Sequence, residues 1–247
     1  MASAGMNALP RRRQVAGPEE VARALAEGLP LRLLLVAERP KDPAVAAQVD
    51  AARAAGVPVR ASSEKSLWRL SKTDPPSELL GLIAPPPDAP REEVLAAGGC
   101  AWLLVGLAYP GNTGFAIRAA EVSGADGVFV DGSFLHEGRR EALRASMRAD
   151  RFMPVFWEPA LSSIAAARDA GRRVVAIEDV GTRTPWELDL TVPLLLVVGG
   201  ERHGIPDEVI GACDETVRIP MHGFIPSYNL QAAMAMVAGE RLRQLSL

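Results

Sequence analysis

Leu194–Gly204 reads LLLVVGGERHG, an uninterrupted apolar run that ends in two glycines and a charged turn. Apolar residues at every position of a short run are typical of a strand that is covered on both faces of a parallel sheet. Ligands of such sheets bind in the loops that follow the carboxyl ends of the strands. The stretch therefore predicts an α/β protein, and it makes the loop at Gly199–Gly204 a candidate binding site.

The sequence on either side of this stretch repeats the alternation of strand and helix. Predicted strands are Ala101–Leu107, Gly127–Val130, Val174–Ile177, Leu194–Val198 and Thr216–Ile219. Predicted helices are Thr113–Ser123, Arg139–Arg148, Leu161–Ala170, Pro206–Ala212 and Leu230–Leu242. The alternation predicts a parallel sheet with helices on both faces, in a domain that spans residues 91–247.

A smaller α/β domain is predicted over residues 18–90. Its predicted strands are Leu31–Val36, Val57–Val59 and Leu79–Ala84, and its predicted helices are Glu19–Glu27, Ala44–Ala55 and Glu64–Leu70. The domain ends in Pro85-Pro86-Pro87-Asp88-Ala89-Pro90, which suits neither a helix nor a central strand and is therefore interpreted as a linker. Residues 1–17 lack periodicity and are predicted to be a disordered lead-in.

The composition of the 247 residues argues against several classes of protein. No apolar run approaches the roughly 20 residues of a membrane span, and no signal-peptide core follows Arg11–Arg13, so a soluble, cytoplasmic protein is expected. Cys100 and Cys213 have no partner at metal-ligand spacing, so neither a disulfide framework nor a metal site is expected. Because the net charge is −3, a polyanion would need a local basic patch.

The first candidate loop, Tyr109–Gly114, leads into the predicted helix that contains Arg118. Asn112 is well placed to cap that helix. Arg118 lies about one and a half turns further on. An arginine at that position either serves a ligand or pairs with Glu121 or Asp126, and the pattern leaves both interpretations open.

The second candidate loop is Gly199–Gly204. Two glycines at a strand end permit the backbone to approach a ligand closely, although an ordinary tight turn uses them as well. The loop matches neither the dinucleotide-binding fingerprint nor the phosphate loop. The carboxylate of Glu201 would repel phosphates, so the loop favours a cationic or hydroxyl-bearing ligand.

The third candidate loop, Ile219–Asn229, contains two prolines and several large apolar residues, which predict a fairly rigid pocket wall. Ser227 and Asn229 are good caps for the helix that follows, and capping alone explains both. His222 is a possible acid or base, although a single loop histidine is more often incidental.

A run of basic residues lies between the predicted strands Gly127–Val130 and Val174–Ile177. Its members are Arg139, Arg140, Arg144, Arg148 and Arg151, with only Glu141 and Asp150 among them as acidic residues. Such a run is either a solvated helix face or a patch that contacts a polyanion, and the charge pattern alone does not separate the two.

Together the three loops resemble the motifs of the SpoU, or TrmH-like, RNA ribose methyltransferases of the SPOUT superfamily. The matching residues are N-x-G-x-x-x-R at Asn112, Gly114 and Arg118, G-x-E-x-x-G at Gly199, Glu201 and Gly204, and I-P-M-x-G-x-x-x-S-x-N from Ile219 to Asn229. The resemblance covers roughly residues 98–247. Residues 18–84 more loosely resemble the family's small N-terminal RNA-binding domain.

The resemblance implies a C-terminal SPOUT domain with a trefoil knot, and a homodimer in which the partner completes each site. It also implies S-adenosyl-L-methionine as cofactor and no metal. Cofactor-binding residues would be Gly199, Gly200, Gly204, Ile219, Met221, Tyr228 and Leu230. Arg118 would activate the hydroxyl first and act as a base second, and the residues that orient it and the ribose would be Asn112, Glu201, Ser227 and Asn229. RNA-binding residues would be Arg139, Arg140, Arg144, Ser146 and Arg148.

The implied reaction is methyl transfer from S-adenosylmethionine to a ribose 2′-hydroxyl of structured RNA. A separate N-terminal domain favours ribosomal RNA over transfer RNA. The alternatives are a transfer-RNA 2′-O-methyltransferase and an RNA-binding protein that keeps the fold without catalysis. Four positions depart from the family pattern: Arg148 stands where glycine is frequent, Tyr228 stands where leucine is usual, and His203 and Phe224 are not typical.

Overall fold

The computed structural model describes residues 14–29, 31–71, 73, 75–83 and 85–246. The chain divides into two compact units, Met1–Pro86 and Pro87–Leu247. The division falls inside the proline-rich segment, four residues before the boundary predicted from the sequence.

The first unit is a four-stranded mixed sheet with helices. Its strands are β1 (Gln14–Ala16), β2 (Leu33–Ala37), β3 (Val59–Ser62) and β4 (Leu79–Leu82), in the order β1-β4-β2-β3. Its helices are α1 (Pro18–Ala26), α2 (Pro43–Ala54) and α3 (Glu64–Ser71). β2 and β3 are parallel, whereas β4 runs antiparallel to both β1 and β2.

Strand β1 corrects the prediction of a disordered lead-in over residues 1–17. Gln14–Ala16 pairs with β4, and Val15 lies opposite Gly81. A side chain at Gly81 would lie 2.9 Å from Val15 and 2.8 Å from Leu31, so the glycine leaves room for both. Three residues are too few to show a periodic pattern, which is why the sequence did not reveal this strand. The remaining part of the prediction, residues 1–13, lies outside the described residues.

The second unit is built on six parallel strands. They are β5 (Cys100–Val105), β6 (Gly127–Asp131), β7 (Val155–Trp157), β8 (Arg173–Ile177), β9 (Leu194–Gly199) and β10 (Glu215–Val217), in the order β10-β8-β9-β5-β6-β7. The helices are α4 (Arg91–Ala96), α5 (Pro110–Val122), α6 (His136–Ala145), α7 (Ala160–Asp169), α8 (Asp207–Ala212) and α9 (Leu230–Leu245), with 3₁₀ turns at Ala149–Arg151 and Pro185–Glu187.

The predicted parallel sheet is confirmed, because every adjacent strand pair in it is parallel. The short elements β7, of three residues, and α4, of six, were not predicted from the sequence. The helix expected over Arg139–Arg148 begins earlier, at His136, and ends at Ala145.

Helices cover both faces of this sheet. Trp102 and Leu104 of β5 pack in a cluster with residues of α5 and α9, whereas Leu103 and Val105 pack in a second cluster with residues of α7 and α8. Successive side chains of a strand point to opposite faces, so a strand that is apolar throughout supplies both clusters. This explains why the run at Leu194–Val198 has no polar position.

A buried ion pair closes the amino edge of the sheet. Arg172 and Asp126 are 0% and 1% exposed, and Nη2 of Arg172 lies 2.9 Å from Oδ2 of Asp126. The guanidinium also donates to the carbonyl oxygens of Val94, Leu95, Gly99 and Leu194. These contacts join α4 to the starts of β5, β6 and β9. Asp126 thus pairs with Arg172, and not with Arg118 as one sequence interpretation allowed.

Candidate functional site

The loops that follow β5 and β9 meet at the carboxyl edge of the sheet, because these two strands are neighbours. The backbone N–H of Gly200 donates to the carbonyl oxygen of Val105 across 2.7 Å. The N–H of Gly204 donates back to the oxygen of Gly200 across 3.1 Å, which closes the second loop on itself. The first and second loops therefore form one continuous surface.

The glycines of the second loop serve contacts within the chain. A β-carbon at Gly200 would lie 2.3 Å from the carbonyl oxygen of Gly106, and one at Gly199 would lie 2.2 Å from the carbonyl carbon of Gly204. Both positions exclude any side chain, since the neighbouring atoms are backbone. The sequence left both a ligand site and an ordinary tight turn open, and the structure supplies a reason for the glycines within the chain itself, because the backbone that approaches them is the chain's own.

Asn112 and Glu201 are brought together by this packing. The amide nitrogen of Asn112 donates to Oε1 of Glu201, although the two residues are 89 positions apart in the chain. Asn112 does not cap α5, contrary to the prediction, because the helix begins at Pro110 and Tyr109 holds the N-cap position. Proline is favoured at the first helical position, and this places Asn112 inside the first turn with its side chain free to reach Glu201.

A second pair joins the same two loops. Nη2 of Arg202 donates to the hydroxyl oxygen of Tyr109 across 3.0 Å, and the guanidinium carbon lies 5.2 Å from the centre of the Tyr109 ring. The hydrogen bond to Tyr109 raises the pKa of Arg202 above its usual value. Sequence reasoning missed this pair, since no local pattern connects the two positions.

Glu178, which follows β8, holds the end of the second loop. Its Oε2 accepts a hydrogen bond from the N–H of Ile205 across 2.9 Å. Its own N–H donates to the carbonyl oxygen of Val217 at the end of β10, also across 2.9 Å. Gly204 has φ +62°, and a β-carbon there would lie 2.6 Å from the Glu178 carboxylate. Sequence reasoning assigned Glu178 no role, and it links the loops after β8, β9 and β10.

The third loop follows β10 and ends at α9. Asn229 caps α9, accepting a hydrogen bond from the N–H of Gln231 across 3.1 Å, so that prediction is confirmed. Ser227 makes no capping hydrogen bond among the described residues, so its predicted capping role is wrong. The hydroxyl of Tyr228 donates to the carbonyl oxygen of Pro220 across 3.3 Å, which draws the two ends of the loop together.

The predicted cofactor residues of this loop differ in exposure. Ile219 and Leu230 are buried, Met221 is half-buried, and Tyr228 is exposed. Phe224 at the tip of the loop and its neighbour His222 are also exposed. The loop therefore presents an apolar base with an aromatic rim.

Arg118 lies on an exposed face of α5. Within the described part of a single chain, it makes no hydrogen bond or ion pair with Asn112, Glu201, Ser227 or Asn229. The structure of one chain thus joins Asn112 to Glu201 and leaves Arg118 apart from them. Phe115 and Val122, at helical spacings of three and four residues from Arg118, are 45% and 73% exposed.

The predicted RNA-binding residues differ in exposure and fall into three groups. Arg140, Arg144 and Arg148 are exposed. Arg139 is half-buried, with its guanidinium carbon 5.1 Å from the centre of the Trp157 ring and its Nε donating to the oxygen of Phe134.

Ser146 is fully buried, which contradicts its predicted contact with RNA. Its hydroxyl donates to the carbonyl oxygen of Leu143 across 2.8 Å and accepts from the N–H of Ala149 across 3.2 Å. This residue stabilises the turn after α6. In that turn Met147 and Arg148 both have positive φ, +58° and +62°, and Arg148 pairs with Asp150.

Two further observations bear on the class of site. Among the residues that the structure describes, no group of three or more His, Cys, Asp or Glu side chains is arranged to hold a metal ion. None of the described helices is long and apolar enough to span a membrane.

The fold is that of an α/β protein with a six-stranded parallel sheet in its second unit, and the three candidate loops follow strands of that sheet. The chain belongs to the SpoU rRNA methylase family, whose model matches residues 101–239.

Named relatives agree with this membership. The chain is 29% identical over 191 residues to the 23S rRNA (adenosine(1067)-2′-O)-methyltransferase of Streptomyces laurentii, which covers 76% of this chain and 71% of the relative. It is 29% identical over 184 residues to the 23S rRNA (uridine(2479)-2′-O)-methyltransferase of Streptomyces viridochromogenes, covering 70% and 62%. The chain thus spans about two thirds of the length of these relatives.

A solved structure is similar over nearly the whole chain. The AdoMet-bound rRNA methyltransferase from Sinorhizobium meliloti superposes with a TM-score of 0.58 at 26% identity, and the match covers 95% of this chain and 88% of that one.

Proposed function

We propose that this chain is an S-adenosylmethionine-dependent RNA methyltransferase that modifies a ribose 2′-hydroxyl, with ribosomal RNA as substrate. The observation that carries the proposal is the hydrogen bond between Asn112 and Glu201, which joins the first and second family motifs at the carboxyl edge of the sheet. The names of the relatives support the choice of ribosomal over transfer RNA.

The residues at the edge fit S-adenosylmethionine. Buried Ile219 and Leu230 offer an apolar surface for the adenine, and Met221 and Tyr228 flank it. The N–H groups of Gly200 and Gly204 already donate within the chain, so these two glycines and Gly199 would shape the wall of the cofactor site. The carboxylate of Glu201 suits a hydroxyl-bearing or cationic ligand, and this set lacks the glycine-rich phosphate loop of a nucleotide site. When bound, the cofactor supplies an electrophilic methyl group.

The chain's own residues position and activate the acceptor. The acceptor hydroxyl must lose its proton near the transition state, and correct positioning supplies much of the rate. Asn112 and Glu201 hold each other in place and orient the ribose, with Ser227 and Asn229 on the third loop beside them. Arg118 is normally protonated, so it activates the hydroxyl electrostatically and acts as base only if it is desolvated.

The active form is a homodimer in which the partner completes each site. Support comes from α5, where Arg118 is exposed beside exposed Phe115 and Val122. Exposed apolar side chains around a catalytic cation indicate a face that another surface covers. The trefoil knot of the family is part of this proposal and would hold the second and third loops together.

RNA is bound outside the three loops as well. An exposed basic patch on and after α6 consists of Arg140, Arg144 and Arg148. Arg139 is half-buried and packs its guanidinium against the ring of Trp157, so it supports the patch from below. The first unit, Met1–Pro86, serves as the RNA-binding domain. The runner-up function, an RNA-binding protein without catalysis, is disfavoured because Asn112 and Glu201 are paired as a catalytic site would require.

The test uses the full chain with radiolabelled S-adenosylmethionine and either deproteinised bacterial 23S ribosomal RNA or total transfer RNA. We expect label in the ribosomal RNA, at a nucleotide that resists alkaline hydrolysis because its 2′-hydroxyl is blocked. Arg118→Ala should lower the rate by about 100-fold or more and leave cofactor affinity, measured by calorimetry, nearly unchanged.

The matched control is Arg168→Ala, because Arg168 is an exposed arginine paired with Asp214 at the opposite, amino edge of the sheet. This variant should retain full activity. Cofactor binding without methylation of either RNA would favour the non-catalytic alternative, and equal loss of rate and cofactor affinity in Arg118→Ala would contradict the role given to Arg118.

A further inference from the structure

Tyr109 and Arg202 stand beside the catalytic pair and bridge the same two loops. Tyr109 is three residues before Asn112, and Arg202 directly follows Glu201. The contact joins Nη2 of Arg202 to the tyrosine hydroxyl across 3.0 Å. The two pairs are therefore parallel links between the first and second loops.

This pair remains accessible to a ligand. The Tyr109 side chain is 46% exposed, and Arg202 is exposed as well. The hydrogen bond from Arg202 goes to an uncharged phenol, so this contact does not neutralise the guanidinium charge. A guanidinium has five N–H donors, and this bond uses one.

An exposed aromatic ring beside an exposed guanidinium is the chemistry that recognises a single nucleotide. Unstacked RNA bases bind on aromatic side chains, and arginine binds phosphate oxygens with two parallel hydrogen bonds. The neighbouring carboxylate of Glu201 accepts a hydrogen bond from Asn112, and among the described residues it forms no ion pair with Arg202, so the N–H donors of the guanidinium are not bound by it. An acidic peptide would use the arginine but would gain little from the ring.

We propose that Tyr109 and Arg202 together bind the nucleotide adjacent to the methylated ribose, the ring by stacking on its base and the guanidinium by contacting its phosphate. This inference rests on the proposed function. It makes the two side chains substrate-binding residues, distinct from the basic patch on α6.

The experiment compares Tyr109→Ala, Tyr109→Phe, Arg202→Ala and Arg202→Lys in the full chain, with Arg168→Ala as control. For each variant, the affinity for deproteinised 23S ribosomal RNA, its salt dependence, the KM for that RNA, kcat and the affinity for S-adenosylmethionine are measured.

The expected pattern differs between the two residues. Tyr109→Ala should weaken RNA binding roughly 5- to 100-fold and raise the KM for RNA in proportion. The salt slope, which is the dependence of log affinity on log salt concentration, should stay unchanged in this variant. Tyr109→Phe keeps the ring and should bind RNA nearly as the original chain does. Arg202→Ala should weaken binding and reduce the salt slope by about 1, the signature of one phosphate contact. Arg202→Lys should retain that slope.

Other outcomes overturn the inference. If Tyr109→Ala and Arg202→Ala lower kcat or cofactor affinity while the KM for RNA stays constant, the pair only positions the Asn112 and Glu201 loops. If either alanine variant fails to fold, Arg202→Lys carries the test. A salt slope that falls in this variant by about 1, as it would on loss of one phosphate contact, would reject the phosphate role. If the original chain methylates no RNA, the proposed function has failed. If it methylates RNA and Tyr109→Ala has an unchanged KM, only this inference has failed.

Discussion

Gly200 shows at the scale of one residue how backbone contact restricts the sequence. The carbonyl oxygen of Gly106 would lie 2.3 Å from a β-carbon at this position, well inside a normal contact. The same residue donates its N–H to Val105. Because both neighbours are backbone atoms of adjacent strands, neither can move aside without disturbing the sheet.

We therefore expect Gly200→Ala to lower the free energy of unfolding by about 1–3 kcal/mol through overpacking. Gly211→Ala is the matched control, because Gly211 lies in α8 and a β-carbon there would meet no atom of another element within 4 Å. That variant should be neutral or gain roughly 0.5–1 kcal/mol from the lower entropy of its unfolded chain. Urea unfolding measures both, and equal stability of the two variants would contradict the close approach at Gly200.

Helix α9 carries an electrostatic contact that belongs to the scale of the element. Arg243 donates twice to Glu240, from Nη2 across 2.7 Å and from Nε across 2.8 Å, and Gln244 donates across 2.8 Å. The hydrogen bonds from Arg243, with those from Gln244 next in size, lower the pKa of Glu240 from 4.5 to about 2. Gln244 also bonds to the backbone at Leu188 and Leu190, so the contact ties the end of α9 to the sheet layer.

Because the pKa of Glu240 is lower in the folded chain than in the unfolded one, its ionised carboxylate stabilises the folded state at pH values above 4.5. This stabilisation is lost as the pH falls toward the folded-state pKa of about 2. Glu240→Gln should therefore be less stable than the original chain at pH 6, and the difference should vanish by about pH 2. Chemical unfolding at several pH values measures this. In an Arg243→Ala background, Glu240→Gln should add a much smaller pH dependence, and an undiminished one would contradict the assigned cause.

The two edges of the parallel sheet have different tasks at the scale of the whole molecule. The amino edge is closed by Arg172 and Asp126, both fully buried and hydrogen-bonded. The carboxyl edge holds loops that are linked by a few side chains, among them Glu178 at the N–H of Ile205. We propose that the amino edge mainly stabilises the fold and that the carboxyl edge binds the ligand.

This division predicts opposite phenotypes for two substitutions. Asp126→Asn leaves Arg172 as a buried cation without its counter-charge, so it should cost about 3–5 kcal/mol in unfolding free energy while the folded fraction binds S-adenosylmethionine normally. Glu178→Ala leaves the N–H of Ile205 without its acceptor, so it should weaken cofactor binding roughly 5- to 100-fold. Urea unfolding and calorimetry measure the two effects.

Glu178→Gln is the control for the second substitution, because its amide oxygen still accepts the hydrogen bond from Ile205. It should bind the cofactor nearly as the original chain does. If Asp126→Asn lowers cofactor affinity although the protein is fully folded, the separation of the two edges is rejected. It is also rejected if Glu178→Ala leaves cofactor affinity unchanged.

The sequence alone determined the parallel α/β architecture, because an apolar strand pattern and helical periodicity are local properties that each segment carries by itself. The three loops were found the same way, since each directly follows such a strand. The limits lie in some of the short elements: β1 and β7, of three residues each, were missed, whereas the equally short β10 was predicted.

Only the tertiary structure decided which residues of those loops meet. Asn112 and Glu201 are 89 positions apart, Tyr109 and Arg202 are 93 apart, and Ser146 is buried although its neighbours in the basic run are exposed. These facts depend on β5 and β9 being adjacent and on how α6 turns against α5. Strand order and close packing arise from contacts across the whole chain, and no single stretch of sequence contains them.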